Sequence, residues 1–294
     1  MKKLLTTIAI SLAFATTAVR ADLANYQSTV TGQSPTYDFH FDNSLVDSVG
    51  GTATFTANVG ATFGSDYSGN ANDAVSFPSA TTGYLSLASP VVISGEGTAT
   101  AIGSMSMLFY LPNTVPGTGY LFSDSETSAS EFAFDESGGA FQLKVGNKTI
   151  ALTGAPTPTA NTWYYLGLTY NLSGTAVGVN GVNWYLGAAG GTLTSGFYQK
   201  GTIGGTTYIS TTATLGDGGT FILGNRRAFN NTFGVGSELD ELATWSTALD
   251  SSVISAQFNA LTTTVPEPST CAVLGLSGLL LFARRTFRHD LPGK

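Results

Sequence analysis

The sequence predicts an all-β protein of two antiparallel sheets packed face to face, with one short helix near the C-terminus lying on the sandwich. Three observations carry this. Helical periodicity is almost absent over most of the 294 residues, short alternating or aromatic-rich runs recur throughout, and Gly, Asn, Asp, Ser and Pro bound nearly all of those runs. The 36 glycines serve turns and follow no fixed period, so a solenoid is not indicated.

In chain order the expected strands are Thr36–Phe41, Ala74–Phe77, Gly83–Leu87, Ser104–Leu111, Tyr120–Ser123, Glu131–Phe134, Phe141–Val145, Thr149–Leu152, Thr162–Tyr170, Val182–Leu186, Thr220–Leu223 and Ser237–Trp245. Met105, Met107 and Phe109 alternate with smaller or more polar neighbours, while Trp163, Tyr165 and Leu168 give another strand bulky faces. Two packed sheets need such inward ladders. The helix is expected over Ser251–Ala260, because Val253, Ile254, Phe258 and Leu261 recur at helical spacing and Asp250 stands where a side chain can cap the first turn. Between Gly187 and Gly219 the chain is almost all Gly, Thr, Ser and Ala, which reads as a long loop or an inserted hairpin.

The two ends read as addresses rather than structure. Lys2 and Lys3 precede an apolar stretch, and Val19-Arg20-Ala21 leaves small residues at positions minus three and minus one, so residues 1–21 are expected to be a signal peptide cut before Asp22. At the other end, Val265-Pro266-Glu267-Pro268-Ser269 is followed by 13 residues from Cys271 to Ala283 that lack any charge, then Arg284 and Arg285. That run is short of the roughly 20 residues that span a bilayer as a helix. This order resembles the PEP-CTERM sorting signal of Gram-negative bacteria over residues 265–294. The resemblance implies an exosortase-type membrane protease as a transient partner, which would read Pro266, Glu267, Pro268, Arg284 and Arg285, and delivery to the cell surface, outer membrane or extracellular matrix.

The expected domain is therefore residues 22–264. Seven of the 12 Lys and Arg residues lie in the ends, leaving five, and two of the 19 acidic residues do, leaving 17, so the middle carries a net charge of about −12. A surface that acidic repels nucleic acid and anionic lipid. The single cysteine, Cys271, is in the tail, so the domain has neither disulfide nor thiol chemistry and must be held by its core.

Four segments in order resemble a LamG-like jelly roll of the concanavalin A-like lectin and glucanase superfamily: YDFHFDNSLVDSVGG from Tyr37, AVSFPSATTGYLSL from Ala74, NTWYYLGLTYNLSGTAVGVNGVNWYLGA from Asn161, and FILGNRRAFNNTFGVGSELDELATWSTALDSSVISAQF from Phe221. The resemblance implies a carbohydrate- or protein-binding module, often with one calcium ion near the rim. A minority of the superfamily are glycoside hydrolases, so fold alone does not choose. Catalytic strands of laminarinase type carry three acids at alternate positions; here Glu238 and Asp240 are followed by Leu242, and the strand directly precedes the C-terminal helix. The expectation is a non-enzymatic module that binds polysaccharide, with a glycoside hydrolase of the same fold or a purely structural matrix protein as the alternatives.

Candidate sites follow. Calcium needs six to eight oxygens, and Asp42 and Asp47 at the exit of the first strand could meet Asp240 in the last strand. Aromatics in glycine-rich loops, Tyr198, Tyr208, Phe229 and Phe233, are candidates to stack on a sugar, with Arg226 and Arg227 nearby. His40, the sole histidine of the domain, reads as a structural residue, and Asp124, Glu126, Glu131, Asp135 and Glu136 read as a solvated hairpin tip.

Overall fold

A computed structural model describes residues 22–58, 60–77, 83–87, 93–112, 118–124, 130–146, 148–174, 180–203, 206–207, 209–217, 219–226, 229 and 231–261. In chain order the elements are α1 (Asp22–Thr31), β1 (Tyr37–Phe39), β2 (Thr56–Ala57), β3 (Thr62–Ser65), β4 (Ala71–Phe77), β5 (Leu85–Leu87), β6 (Ile102–Leu111), β7 (Thr118–Ser123), β8 (Phe132–Ser137), β9 (Ala140–Val145), β10 (Lys148–Ala151), β11 (Thr162–Asn171), β12 (Gly181–Ala188), β13 (Thr194–Gln199), β14 (Thr202–Ile203), β15 (Thr206–Thr207), β16 (Phe221–Leu223), β17 (Ser237–Trp245) and α2 (Ser251–Ala260).

Two antiparallel sheets form the sandwich. One runs β13-β12-β11-β6-β17-β4-β3, with β1 also paired to β17, and the other runs β10-β9-β8-β7-β16-β5-β2. Alternation along each strand assigns its faces. In β6, Met105, Met107, Phe109 and Leu111 join the core between the sheets, while Leu108 turns outward. In β11 the inner set is Tyr164, Leu166, Leu168 and Tyr170, and Tyr165 points the other way. Phe109 stacks on Tyr164 at 5.3 Å and meets Phe141 of the opposite sheet edge-on at 5.8 Å, so aromatic pairs knit the layers across the interior.

The outer face of the β17 sheet is covered by helices. Leu23, Tyr26 and Val30 of α1 and Ile254 and Phe258 of α2 close over Leu108, Tyr165, Tyr185, Ala243 and Trp245. This buries β6 and β11 on both faces over most of their length. The helix α2 has the expected span, with one correction: Asp250 occupies the N-cap position but makes no side-chain capping bond, and its carbonyl accepts from the amides of Val253 and Ile254 instead. The helix α1 was not expected, since three buried residues in ten, Leu23, Tyr26 and Val30, give too weak a period to stand out. Of the open segment after Gly187, residues 194–199 pair with β12 as an edge strand and the pair β14–β15 follows. No described helix is long and apolar enough to cross a membrane. Residues 1–21 and 262–294, which hold the expected signal peptide and sorting tail, lie outside the described residues.

Candidate ligand-binding surface and cation cluster

The loop after β16 is built to hold one aromatic side chain outward. Its base is closed where Gly224 donates to Leu121 O (2.7 Å) and accepts from Phe233 N (2.9 Å). Gly224 has φ 79°, and a Cβ there would come within 2.5 Å of the Phe77 ring, so only glycine fits this turn. Inside the loop, Asn225 Oδ1 accepts from the amides of Arg226 (2.7 Å) and Asn231 (3.0 Å), and Phe229 N donates to Arg226 O (2.7 Å).

Phe229 is 45% exposed and adopts φ 55°, a left-handed conformation that is uncommon for a bulky residue. Its ring stacks on Tyr84 at 4.4 Å with 25° between planes, so Tyr84 backs one face of the exposed Phe229 ring. On the same loop the Arg226 guanidinium lies 5.6 Å from the Tyr120 ring centroid. The Nε of Arg226 and the Nδ2 of Asn225 are buried and have no hydrogen-bond partner among the described residues. Both are donors, and a buried donor left unmade is costly.

Tyr120 connects this loop to the outer face of the second sheet. Register places Tyr120 opposite Asp135, and Lys144 donates to Tyr120 Oη while lying 3.3 Å from Asp135 and 3.7 Å from Glu131. Burial pushes the Asp135 carboxyl up, and Lys144 beside it pulls the other way. Asp124, Asp135 and Glu136 are buried, so the expectation of a solvated acidic tip is corrected; Glu126 lies outside the described residues. Lys144 pairs with Asp135 and Glu131, and Glu136 Oε1 accepts from the Gly139 amide (2.8 Å).

The other expected ligand contacts fare differently. Phe233 is fully buried and meets Phe109 edge-on at 5.6 Å, so it anchors the loop from within and cannot touch a ligand. Tyr198 is half-buried against the core and its hydroxyl donates to Ala151 O (2.7 Å). Tyr208, Arg227, Pro266, Glu267, Pro268, Arg284 and Arg285 lie outside the described residues. Tyr84, which backs the Phe229 ring, was visible only as the tyrosine of a hairpin motif; the chain separation of Tyr84 and Phe229 hid the pairing.

On the opposite, helix-covered sheet, β1 lies beside β17 with Phe39 opposite Leu242. A β-bulge shifts the β17 register between Asp240 and Ala243, with Glu241 at φ 55°. The extra residue turns two successive acids, Asp240 and Glu241, away from the core between the sheets. Asp240 is fully buried and neither carboxylate oxygen accepts a well-formed hydrogen bond among the described residues. Burial drives its carboxyl well above the ordinary range, and Glu241, Asp66 and Asp42 add to the push; the adjacent Glu241 amide opposes it weakly. Asp42 is exposed. Asp47 is not part of this group: its Oδ1 accepts from the amides of Asp38 (2.9 Å) and Val49 (3.1 Å) and its Oδ2 from Gly50 (3.1 Å), so its carboxylate closes the turn after β1.

No protein-family model matches the chain, and no curated protein matches it. Among solved structures, the botulinum neurotoxin serotype D binding domain is similar, with 13% identity, a TM-score of 0.51, and coverage of 76% of this chain and 51% of that one. A structure of botulinum neurotoxin type C, whose cell entry is described as dependent upon interaction with two ganglioside molecules, gives 13% identity, a TM-score of 0.53, and coverage of 81% and 53%. The chain thus spans about half the length of the structures it matches. At these identities the likeness is one of fold, and by fold this chain is a sandwich of two antiparallel β-sheets.

Proposed function

We propose that this protein is a carbohydrate-binding module that grips polysaccharide through the loop after β16. The observation that carries the reading is the exposed Phe229 ring, held at φ 55° and stacked on Tyr84. An aromatic platform offers its face to the C–H surface of a sugar ring, and such contacts gain from a preformed geometry. The fold-level likeness to binding domains, one of which is described with ganglioside molecules, agrees with this reading.

Calcium belongs to the same proposal as a structural ion. Asp240, with Asp42 and Asp66 around it, would give an all-oxygen site of the kind calcium prefers, and an ion there would neutralise a buried carboxylate that otherwise has no partner. Export to the surface or matrix of a Gram-negative-type bacterium rests on the character of residues 1–21 and 265–294, with an exosortase-type protease as the transient partner.

The test is a thermal melt of the purified protein with calcium, with chelator, and with a panel of polysaccharides, since a ligand that binds only the folded state raises the midpoint. The account expects a calcium shift that Asp240→Asn abolishes and a glycan shift that Phe229→Ala reduces. Released sugar would turn the reading to a glycoside hydrolase, and no shift with any glycan would leave a structural matrix protein.

A further inference from the structure

The β17 bulge has a second product besides Asp240. It brings Glu241 against β1, where Asp38 and His40 point outward on either side of the inward Phe39. His40 Nδ1 lies 2.8 Å from Glu241 Oε2, and His40 Nε2 lies 3.5 Å from Asp38 Oδ2. One ligand atom from each of the three residues falls within 4.8 Å of the other two. Gln27 of α1 donates to Glu241 Oε1 at 2.6 Å and fixes that carboxylate from behind.

Two features set this cluster apart from an ordinary surface ion pair. Asp38 and Glu241 are each about 1% exposed while the His40 side chain is 22% exposed, so the carboxylates are sealed and the imidazole is the opening to solvent. The second oxygen of Asp38, Oδ1, is buried with no hydrogen-bond partner among the described residues. Around them stand Asp42, Asp47 and Asp240, with His40 as the one basic side chain the cluster contains. The cluster is short of positive charge and has an unused oxygen.

We propose that Asp38, His40 and Glu241 are the three protein ligands of a divalent transition-metal site, with zinc as the fitting ion. Tetrahedral zinc with bonds of about 2.0–2.1 Å places its ligand atoms about 3.3 Å apart; the two carboxylates here meet different ring nitrogens of His40, so one carboxylate must turn toward the ligating nitrogen, within a cluster whose ligand atoms already lie inside 4.8 Å of one another. One ring nitrogen of His40 ligates, the metal displaces the proton on that nitrogen, and no bond order or oxidation state changes. Water fills the fourth position on the exposed side. Gln27 is a positioning residue, of the outer-shell kind that orients a ligating carboxylate. An imidazole donor favours zinc over calcium, which separates this site from the all-oxygen surroundings of Asp240. The proposal stands independently of glycan binding.

The experiment uses the full chain, prepared without a histidine tag and stripped with chelator. Zinc binding is followed by calorimetry and by the thermal midpoint, with calcium in parallel, for the wild type, His40→Gln and Asp240→Asn. The expected result is one zinc per chain and a midpoint raised by several degrees in the wild type, at least a tenfold loss of zinc affinity in His40→Gln, and retention of the zinc response in Asp240→Asn. The chain has two histidines, so the His40 ring signals can also be followed by NMR in the wild type, which keeps the test valid if His40→Gln fails to fold. Absence of stoichiometric zinc in the wild type, unchanged zinc affinity in His40→Gln, or unmoved His40 ring signals would each overturn the proposal.

Discussion

Two phenylalanines four residues apart divide the work of one loop. Phe229 faces solvent and Phe233 sits in the core, although both look alike in a glycine-rich stretch. Phe229→Ala should weaken polysaccharide binding by about 0.5–1.5 kcal/mol, a several-fold change in affinity, while leaving the thermal midpoint nearly in place. Phe233→Ala should instead cost about 3–5 kcal/mol of stability, because it empties a buried aromatic site next to Phe109. Denaturant unfolding and affinity electrophoresis of the two variants separate the effects; equal loss of stability in both would contradict the division. At this scale the sequence was only partly informative. It showed which loops carry aromatics, but burial depends on which strand lies underneath, and only register supplies that.

Among the elements, β17 decides the most. Its Leu239 and Leu242 face the core between the sheets, and the bulge between Asp240 and Ala243 is what lets Asp240 and Glu241 both turn away from it. The consequence is a cluster in which every pKa moves upward. Burial raises Asp38 from its ordinary 3.8 to about 6. Burial also outweighs the His40 pairing and raises Glu241 from 4.5 to about 7, while the bond to Glu241 raises His40 from 6.5 to about 9. A group whose folded pKa lies above its unfolded one contributes stability that is complete below the unfolded value and lost as pH rises through the folded value. The metal-free midpoint should therefore fall from about pH 4 upward, with the His40 part lost between 6.5 and 9. His40→Gln should flatten the curve in that last window; a wild-type curve that rises there would contradict the assignment. The spans of β6, β11, β12, β17 and α2 were legible because alternation and spacing are local properties, whereas β2, β3 and α1 were not. The bulge was not, since a single extra residue leaves no mark in the pattern Glu-Leu-Asp-Glu-Leu, and with it went the partnership of His40, which counted alone looked merely structural.

At the scale of the whole molecule, the two sheets have different tasks. One is sealed on both faces, by the inter-sheet core and by α1 and α2, and holds the acidic cluster. The other leaves its outer face free of those helices and carries Tyr120, Asp135 and Lys144 beside the Phe229 loop. Short alternating runs bounded by turn residues predicted the sandwich, and the jelly-roll resemblance agreed. It could not predict that the N-terminal residues of the domain form a lid over the sheet, because α1 owes its place to tertiary contacts with Tyr165 and Ser106 rather than to helix propensity. The central claim is that polysaccharide binds at the Phe229 loop. Its most direct test is NMR chemical-shift mapping of the calcium-loaded protein titrated with the polysaccharide that best raises its midpoint. The account predicts that the moving resonances concentrate on Tyr84, Asn225, Arg226 and Phe229 and that Phe229→Ala weakens the titration several-fold; shifts confined to the β13 edge or to the α1–α2 face would contradict it.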